Sequence, residues 1–181
     1  MKNIIIVWLS IMGLAYSSFL YAEEVIDASD PTKVYTYAGA GVKYTDYTNG
    51  ETMTEMRTVG NIGLSPQDML MFEVGYGWHD GDKTPGNNSA FTNGRLRWFH
   101  VFEMDYSVES GYRGWATQVD LQIAGKLKGT DGQNVLTLGV LPAFGINEQW
   151  SFFLPMNMVN SWDKEFEKYN GLGLNISPLL V

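Results

Sequence analysis

The chain has 181 residues, with 20 acidic and 12 basic side chains, a formal net charge of -8 at pH 7 and no cysteine. The acidic balance argues against nucleic acid as a partner, because surfaces that bind nucleic acid are basic. The lack of cysteine excludes disulfides as a source of stability, and the length suits a single domain.

The first residues have the layout of a secretory signal peptide. Lys2 supplies a positive charge, an apolar core runs from residue 4 to about residue 14, and Ala22 fits the last position before cleavage. The apolar core is short for a spanning helix. We therefore expect residues 1–22 to be a signal peptide, with an uncleaved N-terminal anchor as the alternative. The acidic segment 23–32 is predicted to be a periplasmic leader that ends near Pro31.

The remainder, residues 33–181, contains eight segments in which apolar and polar residues alternate. They are residues 34–47, 54–64, 69–79, 91–106, 112–127, 134–146, 150–160 and 169–180. Turn signals separate them, and Asn49-Gly50 predicts a two-residue type I′ hairpin. Strands of soluble proteins are commonly about five or six residues long, whereas a tilted strand needs about nine to eleven to cross a bilayer.

One face of these segments is apolar, and the other is charged and rich in glycine. In the last stretch, YNGLGLNISPLLV, Leu172 and Leu174 share the apolar face, and Gly171 and Gly173 share the polar face. The interior of an eight-stranded barrel is too narrow for several large apolar side chains from each strand. We therefore predict that the polar face lines a lumen and that the leucines contact lipid. A soluble exported β-barrel or sandwich is the alternative.

Tryptophans near the segment ends agree with a membrane protein, because aromatic girdles mark the two membrane interfaces. The predicted girdle residues are Trp78, Trp115, Trp150 and Trp162. In length, alternation and girdles the chain resembles bacterial outer-membrane β-barrel proteins as a class. The resemblance implies an all-β, transmembrane, antiparallel up-and-down β-barrel of about eight strands in the bacterial outer membrane, with lipid as a partner.

The last segment departs from that class, because its end lacks the usual aromatic residue. The sequence stops at Leu179, Leu180 and Val181. Either an eight-stranded barrel closes with an atypical end, or the chain is the first part of a larger barrel.

The polar face carries charges of both signs. The predicted lumen-lining residues are Lys43, Glu55, Arg57, Glu73, Arg95, Arg97, Glu103, Asp105, Asp120 and Lys126. They could pair and block the lumen, because buried charges need partners. Alternatively, Arg95 and Arg97 could form a constriction that selects anions. The predicted function is a small porin-like channel for polar or anionic solutes, with no cofactor and no metal.

Two other functions stay open. One is a structural or adhesive barrel that acts through its outer loops. The other is a lipid-modifying enzyme that would use His79, beside Asp80 and near Ser89, although no serine has the spacing of a nucleophile. His100 has outward parity, for which the sequence offers no explanation.

Overall fold

A computed structural model describes residues 34–130 and 132–181. The predicted signal peptide, residues 1–22, and the predicted leader, residues 23–32, lie outside the described residues. None of the described residues belongs to a helix long and apolar enough to cross a membrane.

The described chain forms antiparallel β-strands joined in sequence order. The strands are β1 (Tyr37–Asp46), β2 (Thr52–Gly63), β3 (Asp68–Asp80), β4 (Ser89–Met104), β5 (Gly111–Ala124), β6 (Asn134–Gly145), β7 (Ser151–Phe153), β8 (Met156–Trp162), β9 (Tyr169–Ile176) and β10 (Leu179–Leu180). Pro155 separates β7 from β8 and Pro178 separates β9 from β10, because proline has no N–H for the ladder. The strands therefore form eight long segments, which confirms the predicted number of strands.

The strands form an up-and-down sheet in which each long segment pairs with its neighbours in sequence. The sheet curls through 229° and is an open half-barrel. The closed barrel that the resemblance implied is therefore corrected, because the curl of the eight segments falls short of a full turn. Among the described residues, β1 pairs with β2 alone, β9 with β8 alone and β10 with β7 alone.

The two ends of the sheet differ in what connects the strands. We call the end with the turns after β2, β4 and β6 the lower end, and the end with the connections after β1, β3, β5 and β8 the upper end. The first upper connection is not the predicted two-residue hairpin. It spans residues 47–51, and only Gly50 has a positive φ, of 84°.

Four register shifts interrupt the pairing, at 75/76, 101/103, 112/114 and 161/162. The register shift at 112/114 requires a glycine at its second position. Gly114 has a φ of 146°, and a Cβ on it would overlap the backbone oxygen of Glu103. Such bulges change which face the following side chains occupy.

The two faces of the sheet are packed differently. Because a curled sheet encloses its inner face, the side chains that are buried against one another identify the concave face. At its lower end they form an apolar cluster of Met69, Phe99, Val101, Ala116, Leu141, Ala143 and Phe153, with Val34 and Val181 packed against it. The convex face exposes large apolar side chains along all the long segments.

Candidate functional site: a charged concave face

The strand register brings most of the predicted charged residues together above the apolar cluster. Lys43 lies opposite Glu55, Glu73 lies opposite Arg95, and Arg97 lies opposite Asp120. These residues alternate along their strands with the outward apolar residues, as Arg95 and Arg97 do with Leu96. They therefore share the concave face with the apolar cluster.

Two arginines of β4 share one carboxylate of β5. Asp120 Oδ2 accepts hydrogen bonds from Arg95 Nη2 at 2.6 Å and from Arg97 Nη2 at 2.7 Å, and Arg95 Nε donates to Asp120 Oδ1 at 2.9 Å. The Asp120 residue is only 2% exposed. One buried carboxylate thus fixes two guanidinium groups, and the three side chains together carry one net positive charge.

A second group of charges lies on β2 and β3. Arg57 Nη2 contacts Glu55 Oε1, and Arg57 Nη1 contacts Glu73 Oε1, both at 3.1 Å. Thr92 Oγ1 donates to Glu55 Oε1 at 2.6 Å, and Asn93 Nδ2 donates to Glu73 Oε1 at 2.5 Å. The two carboxylates are held from both sides, so this group is fixed in place as well.

Glycine makes room for this second group. Gly75 lies opposite both Arg57 and Asn93. A Cβ at Gly75 would collide with Thr92 Oγ1 and Asn93 Oδ1 and would lie 2.8 Å from Glu55 Oε1. The space that the missing side chain of Gly75 leaves is used by the side chains of the charged network.

Solvent reaches the positive groups of the concave face more than the negative ones. The exposed fractions of the cationic side chains are 45% for Arg57, 36% for Arg95 and 25% for Arg97. Those of their carboxylate partners are 4% for Glu55, 23% for Glu73 and 2% for Asp120. Lys43 is exposed as well. A solute on this face would therefore meet guanidinium and ammonium groups first.

Three predicted lumen residues lie elsewhere. The register shift after Val101 places Glu103 opposite Trp115, where it is exposed. Asp105 lies in the turn after β4, where Ser107 Oγ donates to Asp105 Oδ1 at 2.6 Å and keeps the pKa of this carboxyl below its usual range. Lys126 follows the end of β5 and is exposed beside Phe91. Alternation fails for these residues because a bulge or a strand end intervenes.

The four predicted girdle tryptophans lie at the two ends of the sheet. Trp78 and Trp162 are at the upper ends of β3 and β8. Trp115 lies near the lower end of β5, stacked on Phe102 at a centroid distance of 4.0 Å, and Trp150 precedes β7. Two of these residues therefore mark each end.

His100 has a partner that the sequence did not reveal. The His100 ring nitrogen Nδ1 lies 2.7 Å from Asp68 Oδ1, which also accepts a hydrogen bond from Trp98 Nε1 at 3.1 Å. Ser65 Oγ donates to the other carboxylate oxygen, Asp68 Oδ2, at 2.7 Å. Asp68 thus supplies a polar anchor for the outward-facing histidine at the lower end.

His79 is a buried residue of the upper end. It is 4% exposed and stacks on Tyr47 with ring centroids 5.5 Å apart. Among the described residues its Nδ1 has no hydrogen-bond partner.

A network around Glu51 joins the first two upper connections. Glu51 accepts hydrogen bonds from Thr84 Oγ1 at 2.6 Å, Thr84 N at 3.0 Å, Lys83 N at 2.8 Å and Asn49 Nδ2 at 2.6 Å. These donors, with the Thr84 hydroxyl first, lower the pKa of Glu51 to about 2. The sequence pattern did not predict this site, because Glu51 and Thr84 are 33 residues apart.

Lysines link the upper connections in series. Lys83 Nζ donates to Asn49 O, Lys128 Nζ donates to Gly81 O, and Lys164 Nζ donates to Thr130 O. Each lysine thus reaches the preceding upper connection. In the described part of the chain, no three His, Asp or Glu side chains come together as a metal site.

No protein-family model, no curated protein and no solved structure matches this chain.

Proposed function

We propose that the protein is an integral outer-membrane β-barrel protein that forms a small porin-like channel for polar solutes and favours anions. The observation that carries this proposal is the difference in exposure on the concave face. Arg57, Arg95 and Arg97 are 25–45% exposed, whereas Glu55 and Asp120 are at most 4% exposed. Rings of exposed cationic side chains favour anions in a pore.

The convex face supports a membrane location. Soluble monomers rarely expose a contiguous apolar patch of more than a few hundred Å². Here exposed apolar side chains follow one another across the middle of the sheet. They include Val42, Met56, Val74, Leu96, Val119, Leu121, Leu138, Val140, Met156, Met158, Leu172, Leu174 and Ile176. Lipid would remove this surface from water.

A membrane location requires that the open sheet be completed. Every backbone group must be paired inside lipid, so an open sheet edge is excluded there. β1 and β9 run antiparallel at the two edges, and the positions of Cβ atoms at Gly41 and Gly171 have no neighbour within 4 Å. We propose that these edges are covered in the membrane, by each other or by further strands.

The experiment that tests the proposal is a measurement of ion selectivity. The chain without residues 1–22 would be refolded, inserted in a planar bilayer, and its reversal potential measured in a KCl gradient. We expect discrete conductance steps with chloride preferred, and loss of the preference in the double variant Arg95→Gln/Arg97→Gln. Lys168→Gln, an exposed lysine in the connection after β8, is the matched control and should keep the preference. Cation selectivity of the unaltered chain would contradict the proposal.

A structural barrel without a conducting lumen is the second candidate. The apolar cluster at the lower end favours it, because Met69, Phe99, Leu141 and Phe153 occupy the concave face below the arginines. A correctly inserted barrel that never conducts would support this candidate. The upper connections, linked through Glu51 and the lysines, would then be the part of the protein that meets other molecules.

A further inference from the structure

A groove on the convex face at the upper end is separate from the charged concave face. It is a cavity of about 480 Å³ beside the upper ends of β4 and β5 and the connection after β8. Its apolar wall is formed by Phe91, Ile123 and Phe166, and Lys126 and Lys164 also line it. We call it the phenylalanine–lysine groove.

The ring of Phe91 lies close over Gly94. A Cβ on Gly94 would be 2.6 Å from Phe91 Cζ, so a larger residue would push the ring away. Gly94 pairs with Val74 and Ile123, which places it on the convex face. This part of the wall is therefore built to be apolar and shallow.

The opposite wall depends on an unusual backbone conformation. Phe166 has a φ of 61°, the one positive φ of a non-glycine residue in the described chain, and its ring is half exposed. Asp163 holds this turn, because its side chain accepts hydrogen bonds from Glu167 N at 2.8 Å and Lys168 N at 3.1 Å. Such conformations persist where the surroundings hold them, and they cluster at ligand sites.

The charges of the groove are unbalanced. Lys126 and Lys164 supply two ammonium groups, and Glu165 supplies one carboxylate. Lys164 Nζ donates to Thr130 O, whereas the ammonium group of the exposed Lys126 makes no hydrogen bond or ion pair within the described residues. The groove therefore combines an apolar wall with a net positive charge and a free cation.

We propose that the phenylalanine–lysine groove binds a phosphate-bearing lipid. The hydrocarbon chain would pack against Phe91, Ile123 and Phe166, and the phosphate would contact Lys126 and Lys164. Apolar surface alone would accept any lipid, so the lysines are what selects the anionic headgroup. The inference rests on the proposed function only in that a membrane would present such a lipid to the convex face.

Binding can be measured without a bilayer. The probe is dihexanoyl phosphatidic acid below its micelle concentration, with dihexanoyl phosphatidylcholine as the zwitterionic control, added to the refolded protein in a non-ionic detergent. Isothermal titration would give the two dissociation constants. We expect the phosphatidic acid to bind more tightly, and Lys126→Gln/Lys164→Gln to weaken it at least about tenfold, as expected for the loss of charge-assisted hydrogen bonds.

Two further variants make the result decisive. Lys168→Gln removes the same charge from the same connection outside the groove, and it should leave binding within about twofold, because exposed charges at a distance are screened. Phe166→Gly relieves the positive φ and removes the ring, so it should weaken binding while the thermal midpoint does not fall. Equal binding of the two lipids, an equal loss with Lys168→Gln, or full binding by Phe166→Gly would overturn the inference. A protein that binds the probe but does not insert into bilayers would overturn the proposed function alone.

Discussion

Arg97 and Asp120 lie directly opposite each other on β4 and β5, with Arg97 Nη2 2.7 Å from Asp120 Oδ2. The same oxygen accepts a hydrogen bond from Arg95 Nη2 at 2.6 Å. The acid is buried and the two bases are partly exposed. The pair therefore explains how a chain with a net charge of -8 can present positive charge on its concave face.

Replacement of Asp120 should lower the stability of the protein and raise its anion selectivity. Asp120→Asn leaves two guanidinium groups without their carboxylate, and we expect a loss of about 2 kcal/mol in the free energy of unfolding, less than for a fully buried pair because the arginines are partly exposed. Anion selectivity should rise, since the net charge of the group increases. Urea unfolding and reversal potentials measure the two effects. Asp105→Asn, in the exposed turn after β4, is the control and should change the unfolding free energy much less than Asp120→Asn.

Gly114 tests the bulge in the pairing of β5 with β6, where Gly114 also lies close to the backbone of β4. Gly114→Ala combines a φ of 146° with overlap against Glu103 O, so we expect destabilisation of about 2 kcal/mol or more. Gly41→Ala is the matched change, because a Cβ at Gly41 has no neighbour within 4 Å. Heat-modifiable gel mobility would compare the temperatures at which the two variants unfold. Equal temperatures would show that the bulge is not formed as described.

The Glu51 network predicts a pH dependence of the upper connections. The pKa of Glu51 is lowered from 4.5 to about 2 in the folded protein. Its contribution to stability is therefore complete well above pH 4.5, declines as the pH falls below that value, and is lost below about pH 2. Hydrogen exchange at the amides of Lys83 and Thr84 would follow this loss. Glu51→Gln should remove the pH dependence, and unchanged dependence in that variant would assign it to another acid.

If the convex face contacts lipid, an arginine in its middle should destabilise the protein more than an arginine at its end. Leu138 lies in the middle of β6 and is 39% exposed. Leu138→Arg should cost about 2–4 kcal/mol in lipid vesicles if this face contacts the bilayer centre. Leu64→Arg, in the turn after β2, places the same residue at the lower end and should cost about 1 kcal/mol or less. Similar small effects of both variants would favour a water-exposed sheet.

The sequence revealed the strands and most of the charged face for a simple physical reason. Between bulges the side-chain period of a strand is two, so Arg95 and Arg97 had to share one face, and Asp120 could reach both once β4 and β5 paired. Alternation could not place Glu103, because the register shift between Val101 and Glu103 interrupts the period of two. Nor could it place Lys126, which lies beyond the end of β5.

Other features depend on distances that no local pattern records. Glu51 meets Thr84 across 33 positions of sequence, and His100 meets Asp68 across 32. The extent of the curl is the sum of many small rotations between neighbouring strands, so alternation could not show that the sheet of eight segments is an open half-barrel, where the resemblance implied a closed barrel.

In the proposed membrane protein the convex face contacts lipid and the concave face contacts water. Because the chain has no cysteine, single cysteines along β1 can report each side separately. Cysteines would be introduced at Gly41 and Lys43, which are exposed on the concave face, and at Val42 and Tyr44, which are exposed on the convex face, in protein refolded into vesicles. Each would be labelled with a small fluorophore and exposed to a lipid-attached quencher and to a water-soluble one. We predict strict alternation, with lipid quenching at Val42 and Tyr44 and aqueous quenching at Gly41 and Lys43. Aqueous quenching at all four positions would contradict the claim.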